Sequence, residues 1–432
     1  MTIALRAVTV QAGQDPPLRL TLQQAITLAL KNNVSVLTTR ADVDEAAATR
    51  ERRFSALLPH VTADALANRQ NRNLAAAGLT IPNIPTVVGP YSYMDFRLSA
   101  NEPLIDRQAY HEWKSSAKAE DSAALTNQDT RDLVVRQAAG LYLACETAAA
   151  EVEASTARVV RSDALLRLAR DQRDQQLATG VDVVRAQVQF ARDRQNALVA
   201  QNTYQTSLLS LARFLGLDLG LPIELTERLQ LRHVDIPPIE EARRSALATR
   251  ADYQAFVKER EGLDEQREAA RARRLPKLAV SGDYGALGSF GSLPAIGEVQ
   301  ATLSITLFDR DRVGELQETR ARIQRLDQQM ADLARGIEQE LRTAILDLES
   351  TEEQVDVTEA ALDLATRELA MTEDRFRNGV SDNIEVVTAQ DALARALDDR
   401  IGALARHADA RMALARALGG TEQSYVRFLG EP

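Results

Sequence analysis

Between Glu298 and Leu307 the chain alternates strictly. Val299, Ala301, Leu303, Ile305 and Leu307 are apolar, while Glu298, Gln300, Thr302, Ser304 and Thr306 are polar. A period of two predicts a strand with one apolar and one polar side. Met94, Phe96, Leu98 and Ala100, alternating with Tyr93, Asp95, Arg97 and Ser99, predict a second such strand over about 91–101. Weaker strands are expected over 61–68 and 278–287, joined to the stronger ones by connections rich in Gly, Pro and Asn. Past Asp309-Arg310 the period changes. Ile323, Leu326, Met330, Leu333 and Ile337 are spaced by threes and fours, and Leu348, Val355, Leu362, Leu369 and Phe376 recur every seven. That is a heptad seam, on a helix about 95 Å long at 1.5 Å per residue. Gly379 is expected to break it, and a second helix to return over Glu385–Leu418. The first half follows the same plan, with its break expected at Gly180. Near the start, Thr21-Leu22-Gln23-Gln24 predicts a capping box, and Pro59 and Pro276 predict helix ends.

The two halves are copies. A slide of 217 positions lays Ala25, Ala29, Leu30 and Pro59 on Ala242, Ala246, Leu247 and Pro276. From Asp106 onward the slide is 203, laying Asp106-Arg107 and Leu211-Ala212-Arg213 on Asp309-Arg310 and Leu414-Ala415-Arg416. Such a unit is a duplicated half-molecule rather than a solenoid repeat. The expected organisation is an N-terminal segment 1–17, a first repeat 18–220 with its turn near 180, and a linker 221–238. A second repeat, 239–420, follows with strands near 278–287 and 298–307 and its turn near 379, then a tail, 421–432. The fold class is mainly α with a small β part. Gly180 to Gln187 spans 7 positions and Gly379 to Gln390 spans 11, so the first turn is expected to lack four residues.

Composition narrows the function. Only 4% of the 432 residues are aromatic, as suits long helices. With 52 basic against 62 acidic residues and no basic stripe, nucleic acid is not an expected partner. No run approaches the roughly 18 apolar residues of a membrane-spanning helix. Residues 1–12, with Val10-Gln11-Ala12 where a signal peptidase would cut, read as the remnant of a secretory signal, with a flexible N-terminus as the alternative. Cys145 stands alone, and the four histidines have no metal spacing, so neither metal nor cofactor is expected. Ser115-Ser116-Ala117-Lys118 and Ser381-Asp382-Asn383 match two of the three motifs of penicillin-binding enzymes. The K-T-G element is missing and both matches lie in or beside long helices, so no enzyme is expected. Four strands cannot close a barrel, and open edges are not tolerated in lipid, so a membrane role demands further chains. A coiled-coil envelope scaffold without a pore is the alternative.

Taken in order, several segments resemble the TolC-like outer-membrane efflux family over residues 18–420. They are Leu20-Thr21-Leu22-Gln23-Gln24-Ala25, Leu57-Leu58-Pro59, Pro103-Leu104-Ile105-Asp106, Leu275-Pro276 and Thr306-Leu307-Phe308-Asp309. The hairpin segments Gly180…Ala186-Gln187 and Asn378-Gly379-Val380…Ala389-Gln390 complete the set. The resemblance implies a homotrimer in the Gram-negative outer membrane, 3 × 4 = 12 strands forming the barrel and the helices a periplasmic tube. It implies a passive exit duct served by a periplasmic adaptor (a membrane fusion protein) and an inner-membrane pump. It places Val299, Ala301, Leu303, Ile305, Leu307, Met94, Phe96 and Leu98 against lipid. Asp182 and Glu385 become a gating, cation-selecting ring at the closed tip, and Gly180, Val181, Gly379, Val380 and Ser381 become adaptor-docking turns. The plainer alternative is that Asp182 and Glu385 serve the start of a returning helix, where the dipole favours carboxylates.

Overall fold

The capping box at Thr21 is present. The Gln24 backbone N–H donates to the Thr21 hydroxyl at 3.2 Å, and the Thr21 N–H donates to Gln24 Oε1 at 3.1 Å. This computed structural model describes residues 17–429 apart from Thr80, Asn83, Leu229, Phe290 and Gly379. The signal remnant expected over residues 1–12 thus lies outside the described residues. The box starts α1 (Leu22–Asn32), and α2 (Val34–Ser55) follows after the extended Asn33. Their counterparts 217 positions on are α5 (Ile239–Thr249) and α6 (Ala251–Ala272). The long helices are α3 (Arg107–Asp174), α4 (Gly180–Phe214), α7 (Asp311–Arg377) and α8 (Asn383–Leu418). At 68 residues, α3 is about 100 Å long. The last segment, expected as a tail, carries α9 (Thr421–Leu429). No described helix is long and apolar enough to cross a membrane.

The chain divides into two units. One takes the described residues up to Arg40, Thr126–Gln254 and those from Asp332 on. Its core is built twice, as the repeat demands. Ala25, Ile26 and Ala29 of α1 pack with Val135, Ala138, Tyr142 and Leu211, while Ala242 and Ala246 of α5 pack with Ile337, Leu341, Leu348 and Leu414. Small alanines at the contacts let the helices approach closely, and aligned alanines at 25/242 and 29/246 keep both contacts alike. Two three-residue strands, β1 (Leu18–Leu20) and β4 (Ile223–Leu225), pair in parallel beside the first core. The buried Tyr142 hydroxyl donates to Leu20 O at 2.9 Å, satisfying both groups. The heptad seam is buried where the sequence put it: Leu348, Val355, Leu369 and Phe376 are all in hydrophobic clusters.

The other unit takes Ala41–Leu125 and Ala255–Ala331. Here Leu263 of α6 packs on Ile323 and Leu326 of α7. Four antiparallel strands form one sheet, ordered β2 (His60–Asn73), β3 (Val87–Ile105), β5 (Lys277–Gly288) and β6 (Ala295–Ser304). The strand expected over 298–307 therefore begins three residues earlier and ends three earlier. Its partner decides this. Ser304 pairs with Lys277, the first residue of β5, and Pro276 before it has no N–H to extend the ladder. The first hairpin runs from His60 to Ile105 and the second only from Lys277 to Ser304, which absorbs the change of slide from 217 to 203.

Candidate functional site

The register of the sheet sorts its side chains into two faces, because residues directly opposite in an antiparallel pair point the same way. Leu98 lies opposite Ala63 and Tyr284, and Tyr284 opposite Gly297; Phe96 lies opposite Ala65 and Ala286. The next rows on this face are Val61, Ala100, Gly282 and Val299, then Glu102, Val280 and Ala301, and then Ile105, Leu278 and Leu303. Six of the eight positions expected against lipid thus fall on one largely apolar face, which Glu102 alone among these rows interrupts with a charge: Val299, Ala301, Leu303, Met94, Phe96 and Leu98. Ile305 and Leu307 lie just past the paired part of β6. The opposite face carries Thr62, Ser99, Asp283 and Glu298 in one row and His60, Asn101, Ser281 and Gln300 in the next. Arg97 sits there between Asp95, at 2.8 Å, and Asp283, at 3.6 Å.

Both faces are open. Val299 is 83% exposed and Leu303 65%, far more than a soluble domain leaves on a whole apolar sheet face. The two outer strands, β2 and β6, each have one neighbour, so each presents a row of unpaired backbone groups.

The second candidate region is the pair of hairpin turns. The helices end at Asp174 and Arg377 and resume at Gly180 and Asn383, so both turns hold five residues and 377 − 174 equals 383 − 180. The expected four-residue shortening of the first turn is therefore wrong. Its cause was taking Gly180 as the counterpart of Gly379. Gly180 is the first residue of α4, and the residue in register with Gly379 is Gln176, whose φ of 64° is left-handed. Gly379 itself lies outside the described residues. The two turns close alike, with the Leu177 N–H donating to Gln172 O at 2.8 Å and the Val380 N–H to Arg375 O at 2.9 Å. This is the six-to-one bond that commonly ends a helix. A non-glycine residue in that conformation costs about 1 kcal/mol or more. Gln176→Gly is accordingly expected to stabilise the hairpin by up to about 1 kcal/mol, read as a raised thermal midpoint.

Asp182 belongs to a second capping box, with Thr179 at the cap. Its carboxylate accepts from the Thr179 N–H at 2.9 Å and hydroxyl at 2.6 Å, and from Arg185 at 3.2 Å. Burial alone would raise its pKa, but these donors outweigh it and hold the carboxyl below the usual range. Glu385, its counterpart, is half-exposed and faces Arg375 at 3.5 Å, while Asp382 caps α8 through the Ile384 N–H at 3.0 Å. The two acids are thus not equivalent. Asn383, fully buried, donates to Asp182 O at 2.8 Å and ties the two hairpins together. Val181 and Val380 are 64% and 68% exposed, and Ser381 Oγ is buried without a partner. Thr179, Asp382, Gln176 and Asn383 were missed in the sequence; the T-x-x-D spacing of Thr179 and Asp182 was a signal that could have found the first.

The serine motifs hold no reactive arrangement. The Ser116 hydroxyl donates to Trp113 O of its own helix at 2.7 Å, and Lys118 pairs with Glu261 at 2.9 Å. Among the described residues, no group of three or more His, Cys, Asp or Glu is placed to hold a metal ion.

The same fold occurs in solved outer-membrane channels. VceC of Vibrio cholerae superposes with a TM-score of 0.79 at 18% identity, covering 92% of this chain and 96% of that one. For the CmeC channel of Campylobacter jejuni the values are 0.80, 15%, 98% and 94%. For the open state of MtrE of Neisseria gonorrhoeae they are 0.76, 17%, 93% and 89%. No curated protein sequence matches. The family model described as outer membrane efflux protein matches residues 25–217 and 242–420, both halves of the repeat. The chain belongs to the outer membrane efflux protein family and is an efflux duct of that kind.

Proposed function

We propose that three copies close their sheets edge to edge into a 12-stranded barrel in a Gram-negative outer membrane, with the long helices forming a periplasmic tube below it. The observation that carries this reading is the four-stranded sheet with one bare, largely apolar face, one polar face and two unpaired edges. In hydrocarbon each unpaired backbone group costs several kcal/mol, so the edges must meet those of other copies. The polar face, with Arg97, Asp283 and Glu298, then lines the bore. The helices carry a matching feature. Val357, Leu364 and Met371 recur every seven along α7 and are each more than 60% exposed, a second seam free for a helix of the next copy.

In this reading the α3–α4 and α7–α8 turns form the periplasmic mouth, where Asp182 and Glu385 of three copies bias the bore toward cations and the exposed Val181 and Val380 meet an adaptor. A periplasmic adaptor and an inner-membrane pump supply cargo and energy. The half-exposed Glu385 is the better placed of the two acids to act on passing ions, since Asp182 is engaged by its own cap. Planar-bilayer recording tests this. The purified protein is expected to conduct with cation preference, and Glu385→Ala to weaken that preference by several-fold. Asp182→Ala is expected to lower stability by about 1 kcal/mol through the lost cap, with a smaller change in selectivity. A folded oligomer without conductance would refute the duct, and selectivity unmoved by Glu385→Ala would refute the ring.

A further inference from the structure

We propose that the collar where β3 runs into α3 holds a phospholipid, its phosphate on Arg107 and an acyl chain in the cleft beneath Leu104 and Ile105. The site rests on the membrane placement proposed above and adds a ligand to it. The cleft has a volume of about 560 Å³; Leu57, Leu104 and Ile105 form its apolar side, and Asp106, Arg107 and His111 its polar side. Ile105 lies opposite Leu278 on the apolar face of the sheet, so the cleft continues the surface assigned to lipid. Leu104, Ile105 and Tyr110 are 52%, 49% and 41% exposed.

Beside the cleft stands an aromatic layer. The Tyr110 and Trp113 rings are 5.8 Å apart, Trp113 and Phe54 5.5 Å apart, and Lys114 Nζ is 5.0 Å from the centre of the Tyr110 ring. Rings that are apolar on one side and polar on the other settle at the headgroup level of a bilayer. The charges agree. Asp106 caps α3 at Ala109 N and takes Lys277 Nζ at 2.9 Å, Glu112 takes Arg53 at 3.0 Å, and Glu265 takes His111 at 2.6 Å. The carboxylates of Asp106, Glu112 and Glu265 are therefore engaged, whereas Arg107 has no ion-pair partner among the described residues. A cleft apolar on one side and polar on the other, with an aromatic wall and one guanidinium without an ion-pair partner, matches an amphiphile with an anionic head, and Arg can grip a phosphate through two N–H groups.

Trp113 is the only tryptophan of the chain, so its fluorescence reports this collar alone. The full-length protein would be placed in nanodiscs containing phospholipids brominated at different depths. Bromine near the glycerol end of the chains is expected to remove most of the emission, and bromine near the methyl end much less. Brominated phosphatidylglycerol is expected to quench more than brominated phosphatidylcholine, and Arg107→Ala to abolish that preference. A conducting protein whose Trp113 no brominated lipid quenches overturns the site, because water or a neighbouring copy then covers the collar. Equal quenching by the two headgroups in the unsubstituted protein overturns the role of Arg107. A protein that does not conduct at all fails earlier, at the channel reading itself.

Discussion

Arginine in place of Val299 is expected to abolish assembly in the outer membrane, while arginine one position on, in place of Gln300, is expected to be tolerated. The two residues are neighbours on β6 but face opposite ways, Val299 in the row of Ala100 and Gly282, Gln300 in the row of Asn101 and Ser281. A cation on the lipid face near mid-bilayer costs about 2–4 kcal/mol, and a trimer carries that cost three times. The sum is of the order of the whole stability of a domain. On the polar face the same charge points into water and should alter conductance only. The yield of oligomer extracted from outer membranes checks both. Equal yields from the two variants would favour a scaffold without a pore, for which neither face matters.

Removing Arg250 is expected to cost about 3–5 kcal/mol, because it strands a carboxylate that is itself largely buried. Arg250 is only 2% exposed, at the corner between α5 and α6. It holds Asp252 with two bonds, 2.6 and 3.1 Å, and also pairs with Glu340 on α7. Arg416 of α8 joins the cluster, 2.6 Å from Asp129 on α3 and 3.5 Å from Asp252. One corner is thus fastened to three long helices. Burial pushes the Asp252 pKa up, but the bonds and charge of Arg250 outweigh it and hold it below the usual range. Its contribution is therefore fully present above the ordinary carboxylate pKa and is lost as pH falls through the depressed one. Thermal melts of Arg250→Ala should show a large loss at neutral pH that shrinks in acid. Arg250→Lys should recover only part, since an ammonium cannot make the paired bonds. A loss below about 1 kcal/mol at neutral pH would mean that the cluster is solvated and fastens nothing.

That cluster shows where sequence reasoning stops. In the repeat Arg250 lies on Asn33, and a lone arginine at a helix junction carries no sign that it is buried. The short strands β1 and β4 were missed for a related reason: three residues are too few for alternation to register. The strands of the sheet were legible because each has one apolar and one polar face, and α7 because its seam repeats for several turns. The turns misled because glycine was read as the break. In the first turn the left-handed position is held by Gln176, and the chain placed its glycine four residues later, inside a helix that has no steric need of it. Applying the 203-residue slide to the helix ends rather than to the glycines gives the equal turns.

The central claim is that β6 of one copy pairs with β2 of the next, and that three such joints close the ring. Cysteines at Thr62 on β2 and Gln300 on β6, both exposed, can be joined by a bis-maleimide, since the native Cys145 is buried. The linker must be shorter than the roughly 14 Å between the outer strands of a four-stranded sheet, so that it cannot bridge them within one chain. Cross-linked in outer membranes and separated under denaturing conditions, the protein is expected to give a ladder of one, two and three chains, ending there. A single one-chain band, or a ladder that continues past three, would contradict it.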